Sequence, residues 1–254
     1  MNKDYYVHKH YLLQHGCFFS SFYSCDSSLY TYSDLIDCFI WNHSIPISLS
    51  KMERERYLNN VIQFYSTRNR KACVYLDSDT SDSGFIALLN ANGFKCVDNE
   101  AWMLWENRKE TNDMKKLTMH IAQGDQMKDF LSVCSSCFEA DYANAIYRDC
   151  KRFYCNKTYI HFSFYLGKQV VGIGSIYYDK DIAIIHNIGV LSSFRRQGYG
   201  SEIVGAVVQY IKSNICVSEI LLQCDGGGYI ESMYTNIGFK NIYRRLGYVR
   251  ESDE

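Results

Sequence analysis

The stretch "GVLSSFRRQGYGSEI", residues 189–203, places Arg195, Arg196, Gly198 and Gly200 between an apolar run and an apolar-periodic run. A turn holding two glycines can curl so that successive backbone N–H groups face one point. With a helix starting near Tyr199, the free amides of its first turn and its dipole add partial positive charge at that point. Such a concavity suits a pyrophosphate, with Arg195 and Arg196 supplying full charges and Ser201 a hydroxyl donor. Two well-known phosphate turns fit poorly. A P-loop needs Gly-Lys-Ser/Thr, and Gly200 is followed by Ser201-Glu202. A dinucleotide fingerprint needs a third glycine where Ile203 stands, and an early strand of the domain. The remaining pattern is Arg/Gln-x-x-Gly-x-Gly/Ala, met as Arg195-Arg196-Gln197-Gly198-Tyr199-Gly200 behind a strand ending at Val190.

The elements that must position this turn follow from periodicity. Strands are expected at 116–122, 158–166, 169–179, 182–190 and 218–224, with helices at 125–138, 141–154, 199–213 and 229–237 and an ending strand or hairpin after Phe239. Residues 61–95 align with 207–240, each showing a helix end, a short apolar strand, an Asp/Gly/Ser-rich turn, a second helix and Gly-Phe-Lys. That shared order argues for duplication of one fold. The polar stretch "NRKETNDMK", 107–115, reads as a linker and divides the chain into 1–108 and 115–254. The fold class is therefore mixed α/β (α+β): two similar domains, each a mixed, mostly antiparallel sheet flanked by helices.

Composition excludes several classes of function. A formal net charge of -1 leaves no excess of Lys and Arg for general nucleic-acid binding. The N-terminal "MNKDYYVHKHYLLQHG" lacks the apolar core of a signal peptide, and no run of about 18 apolar residues occurs to span a bilayer. A cytoplasmic protein is expected, with no membrane and no nucleic-acid partner. Its eleven cysteines lie scattered in apolar segments, which reads as reduced core cysteines. The nearest approach to metal-ligand spacing, Cys134, Cys137, Cys150 and Cys155, falls on two expected helices, whereas zinc pairs sit on turns, so no metal is expected.

With the turn at 195–200 and "MYTNIGF" at 233–239, residues 115–254 resemble a GNAT-type (Gcn5-related) N-acetyltransferase. The resemblance implies that Arg196, Gln197, Gly198, Tyr199 and Gly200 hold the pyrophosphate of acetyl-CoA, with Arg195 and Ser201 beside them. It implies that the strands ending at Val190 and near Cys224 splay around the pantetheine arm, against Ile188 and Val190, and that a backbone N–H near Val190 polarises the thioester carbonyl. Tyr234 stands at the family's tyrosine, whose phenol can protonate the departing thiolate. His186 is either the base that takes the amine's proton or a structural histidine; strand alternation puts it on one face with Ile188 and Val190. Asp225 is a lesser base candidate and more simply a turn residue. The family's Asn near the start of the helix after the 218–224 strand is replaced by Gly227 within Gly226–Gly228.

In the first copy, "LSKMERER" at 49–56 stands where the glycine turn should be and Leu89 where Tyr234 should be. The first half is thus expected to be a degenerate copy without an acetyl-CoA site, with Phe39, Trp41 and Trp102 in its core. The expected activity is transfer of an acetyl group from acetyl-CoA to a primary amine, on a small molecule or a peptide, by direct attack in a ternary complex. The alternative is a module that senses CoA or acyl-CoA without turnover. Glu139 and Asp141 either hold a cationic acceptor or form a solvated acidic turn, and the state is monomer or homodimer. Cys224 has no histidine partner by spacing, so no acyl-cysteine is expected.

Overall fold

Residues 21–25, 27–78, 82–106, 116–153 and 158–251 are described by the computed structural model; the N-terminal stretch, the linker at 107–115 and Cys155 lie outside them. Two compact units emerge. One takes in Met1–Ala101, Asp225–Gly227 and Ile242–Glu254, the other Trp102–Cys224 and Gly228–Asn241.

In the first unit, β1 (Ser21–Cys25), β2 (Ser28–Tyr32), β3 (Ser44–Pro46) and β4 (Cys73–Asp77) accompany α1 (Arg54–Ser66) and α2 (Ser83–Ala91). They are joined by the first part of β5 (Phe94–Trp105) and the last part of β11 (Phe239–Arg250), in the order β1-β2-β3-β4-β11-β5. β3 runs parallel to β4, while β11 runs antiparallel to it with Leu246 opposite Leu76 and Tyr248 opposite Val74. Tyr57, Leu58, Val61 and Tyr65 recur at helical spacing on α1. They bury one face of that helix against Val74, Leu76 and Tyr248 of the sheet, together with Phe85 and Leu89 of α2. The sheet's other face buries Cys73, Tyr75 and Val249, against which Phe39 and Ile45 are half-buried. There Arg245 forms a buried ion pair with Glu100, and its guanidinium lies 4.5 Å above the Tyr75 ring. The aromatic core expected in the first half needs correction. Phe39 and Trp41 are only partly buried, and the fully buried Trp102 belongs to the second unit.

The second unit contains β6 (Thr118–Ile121), α3 (Asp125–Cys137), α4 (Ala140–Phe153), β7 (Tyr159–Leu166), β8 (Gln169–Tyr178), β9 (Ile182–Val190), α5 (Tyr199–Asn214), β10 (Glu219–Asp225) and α6 (Tyr229–Ile237). With the end of β5 its order is β5-β10-β9-β8-β7-β6, antiparallel from β6 to β9 and parallel between β9 and β10. This is the mixed, mostly antiparallel α/β architecture expected, with element ends within about two residues of the periodicity. The C-terminal segment forms one strand rather than a hairpin. Cys134 and Cys137 lie on α3 as expected. The repeat is visible as well: α1, β4, α2 and Phe94 match α5, β10, α6 and Phe239 in order, and Leu89 and Tyr234 are both buried.

On α5, Ile203, Val204, Val207, Val208 and Ile211 are buried. A Cβ added at Gly172 of β8 would come within 2.6 Å of both the Gly189 carbonyl oxygen and Ile203 Cδ1, so glycine is what lets β8, β9 and α5 approach one another. Gly172→Ala is expected to cost about 1–3 kcal/mol, because the carbonyl it meets is backbone and cannot swing aside. Urea unfolding would measure the loss.

Buried imidazoles, His43 and His161 among them, set a pH dependence. His43 lies 3.2 Å from the Phe39 carbonyl oxygen through Nδ1, and burial, then the Arg245 charge, hold its pKa well below the usual value. His161 Nδ1 lies 2.7 Å from Ser175 Oγ, and burial lowers its pKa to about 3. Both imidazoles are neutral when folded and protonate near pH 6.5 when unfolded, so the unfolded chain binds more protons below that pH. Their stabilising effect is complete above pH 6.5 and is lost as pH falls toward the folded values, by about 1.4 kcal/mol per unit for each imidazole. Urea midpoints at pH 7 and 5.5 should show the drop. His161→Gln should shrink it, and an unchanged drop in that variant would count against His161.

Candidate functional site

Strand β9 ends irregularly. Asn187 has φ 53°, and the register with β8 shifts there: Ser175 faces His186, Ile173 faces Gly189 and Gly172 faces Val190. Two residues of β9, Asn187 and Ile188, thus stand against Gly174 alone, which is a β-bulge. Parallel pairing of β9 with β10 runs only from Ile182 and Glu219 to Ile185 and Leu222, so the two strands part at the bulge. Beyond it, Leu191 N–H bonds the Val171 carbonyl at 3.0 Å. By antiparallel alternation the N–H and C=O of Val190 point away from β8, into the opening toward the β10 side. The Val190 carbonyl is taken by Arg195 Nε at 2.9 Å.

The bulge also corrects an expectation. Simple alternation put His186, Ile188 and Val190 on one face. Ser175 and Gly172 are three apart on β8, so His186 and Val190 lie on opposite faces. A Cβ at Gly174 would meet Ile188, Val207 and Ile203, which places Ile188 on the α5 side. His186 lies on the other side, between the rings of Tyr159 at 5.2 Å and Tyr177 at 4.5 Å. Burial, then His161, lowers its pKa well below the usual value, with a bond to Asn187 opposing them. His186 is therefore neutral at pH 7.

Between β9 and α5 runs a 3-10 turn, Ser192–Phe194, and then the exposed Arg195–Gly198. Arg196 (φ 61°) and Gly198 (φ 86°) are left-handed, the kind of turn in which successive N–H groups converge. Helix α5 has no side-chain cap, and its first intrahelical bond runs from Glu202 N to the Gly198 carbonyl at 3.2 Å. The N–H groups of Tyr199, Gly200 and Ser201 thus form the open end of the helix. Nothing lies within 4 Å of where a Cβ of Gly198 would stand, so the cradle is clear. The residues present fit a pyrophosphate. Gln197 Nε2 bonds back to the Ser193 carbonyl at 3.2 Å, and the Arg196 guanidinium lies 4.8 Å from the Tyr229 ring centre at the start of α6.

The matching helix start in the first unit is closed. Ser50 N and Oγ both bond Glu53 Oε2, at 3.0 and 2.6 Å, just before α1. Arg54 meets Asp82 in a two-point ion pair at 2.9 and 2.6 Å, and Asp82 also caps α2 through Phe85 N. Carboxylates hold the places that are open in the second unit.

Tyr234 is buried on α6, its ring edge-on to Phe239 at 6.1 Å. Asp225 is exposed at the end of β10, Glu139 and Asp141 are exposed around the start of α4, and Cys224 Sγ lies 3.8 Å from Met103 Sδ. Sequence reasoning missed Asn187, buried at the bulge, and its partners: the Tyr142 hydroxyl donates to Asn187 Oδ1, and Asn187 Nδ2 donates to Ser175 Oγ at 3.4 Å. The signal was present, since asparagine is unfavourable in a run such as "IAIIHNIGV" yet tolerates a left-handed backbone. Cys137, expected on a helix, would meet a Cβ at Gly189 at 3.2 Å, and its thiol is pushed up by burial with Arg195 opposing.

Similarity to known proteins agrees with this geometry. Among solved structures, a GCN5-related N-acetyltransferase from Kribbella flavida is 12% identical and superposes with a TM-score of 0.70 over 96% of this chain and 95% of its own. A functionally unknown conserved protein from Staphylococcus epidermidis is 17% identical, with a TM-score of 0.71 over 93% of this chain and 95% of that one. A tandem GNAT protein from the clavulanic acid biosynthesis pathway is 10% identical, with a TM-score of 0.58 over 89% and 79%. At such identities the likeness is one of fold, and its span takes in both halves of the chain. No curated protein sequence matches. No helix among the described residues is long and apolar enough to cross a membrane. Residues 125–248, a little under half of the chain, match the family model described as Acetyltransferase (GNAT) family, so this stretch is a GNAT domain.

Proposed function

We propose that the second unit transfers the acetyl group of acetyl-CoA to a primary amine of a small molecule or peptide, by direct attack in a ternary complex. The observation that carries this reading is the open, uncapped glycine turn at Gly198, set after a strand whose Val190 N–H points into the gap beside β10. Arg196, Gln197, Gly198, Tyr199, Gly200 and Ser201 hold the pyrophosphate, and Arg195 ties the turn to Val190 while adding charge. Bound there, acetyl-CoA supplies the activated acetyl group.

Ile188 and Val190 flank the arm, and the Val190 N–H donates to the thioester carbonyl as negative charge develops on it. Tyr234 gives its phenolic proton to the leaving thiolate; with reference pKa values of about 10 and about 8.5 that transfer is uphill by about 1.5 units, a small step in the overall barrier. His186 takes the proton of the amine from the α3 and α4 side of the sheet. Its lowered pKa keeps the imidazole unprotonated at neutral pH, with a free lone pair but a lower proton affinity than an ordinary histidine. The first unit binds no acetyl-CoA, because Glu53 and Asp82 place negative charge at its helix starts where phosphate would lie.

Acetyl-CoA should raise the melting temperature of the protein, and Gly198→Asp should abolish the rise by filling the cradle with an acid. No rise in the wild type would remove the site altogether. Release of free thiol across a panel of amines then separates turnover from sensing: a melting rise without amine-dependent release favours a CoA-sensing module. Tyr234→Phe should lower kcat by about 10- to 100-fold with little change in the affinity for acetyl-CoA, and an unchanged kcat would withdraw the general acid.

A further inference from the structure

The bulge on β9 carries an unusual amount of side-chain support. Asn187 is buried, with 6% of its surface exposed, and holds a left-handed backbone that β-branched neighbours would resist. Its Oδ1 accepts from the hydroxyl of Tyr142 on α4, and its Nδ2 donates to Ser175 Oγ on β8 at 3.4 Å. Ser175 Oγ in turn lies 2.7 Å from Nδ1 of His161, whose ring packs 4.5 Å from Phe130 of α3. Tyr142 itself is steadied by an edge contact with Phe138 at 5.2 Å. A turn of positive φ needs only an asparagine or glycine backbone. It does not need a hydrogen bond to a different helix.

We infer that Tyr142 and Asn187 are positioning residues: their hydrogen bond fixes the bulge, and with it the direction of the Val190 N–H, from helix α4. Val190 lies three residues beyond Asn187, and β10 gives β9 no further backbone pairing after Ile185. On that side the direction of its N–H depends on how firmly the bulge is held. A donor that meets developing charge must be fixed before reaction, so loosening it lowers kcat more than it lowers binding at the separate glycine turn. The same bond links the bulge to α4.

The inference rests on acetyl transfer at this site, and two readouts keep the two apart. Tyr142→Phe keeps the ring and removes the bond; Asn187→Gly keeps the left-handed backbone and removes both side-chain bonds. Each should reduce amine-dependent thiol release about 5- to 10-fold in kcat, leave the melting rise with acetyl-CoA in place, and leave the double variant no worse than Asn187→Gly alone. Hydrogen–deuterium exchange should quicken in peptides covering 186–191 in both variants and stay unchanged over 199–211. Unaltered exchange at 186–191 in both variants, or strictly additive losses in the double variant, would overturn the positioning role. Absence of thiol release in the wild type with every amine would instead remove acetyl transfer, and with it any role of this bond in catalysis, whatever the exchange shows.

Discussion

A single left-handed residue in a parallel-paired strand decides the shape of this site. Asn187 adds one residue to β9 relative to β8, and the pairing of β9 with β10 ends two residues earlier, at Ile185. Two adjacent strands of a sheet ordinarily satisfy each other's N–H and C=O groups. Where they part, those groups need another partner or face an opening. Here the Val190 carbonyl is met by Arg195 of the following turn, and its N–H is left facing the opening. The same departure gives the chain room to curl through Arg196 and Gly198 into α5.

The two copies of the fold differ most at this junction. In both, a helix follows a turn and leads into a strand and a shorter helix. In the first copy the helix start is closed by Glu53 on Ser50 and by Arg54 on Asp82. In the second it is uncapped and follows a left-handed glycine. Carboxylates at helix starts complement the dipole and stabilise the helix, so the first copy uses for stability the groups that the second leaves available to a ligand. The contact between the turn before α5 and the start of α6, through Arg196 and Tyr229, is a cation on an exposed ring, which a phosphate can share without breaking an ion pair.

Much of the second unit was legible in the sequence because its signals are local. Glycine at 198 marks a positive φ, the apolar spacing of Ile203, Val204, Val207 and Ile211 marks a buried helix face, and the run 182–190 marks a strand. What depends on pairing between distant segments was not legible. Residues 245–249 pair with β4, and Trp102 falls in the second unit although it stands in the first half of the sequence; no local pattern specifies either. The face of His186 failed for a related reason. Alternation assumes a period of two, and one extra residue at Asn187 reverses the face of everything after it.

That reversal has a chemical consequence. With unbroken alternation, the imidazole of His186 would share a face with the side chains of Ile188 and Val190. The bulge separates the groups: His186 and Asn187 sit on the side of α3 and α4, Ile188 sits on the side of α5, and the Val190 N–H lies in the plane of the sheet between them. In the proposed reaction the acyl donor is held from the helix α5 side, and His186 lies across the sheet from it. The two faces communicate where β9 and β10 have parted, so under the proposed acetyl transfer that opening is where donor and acceptor would meet.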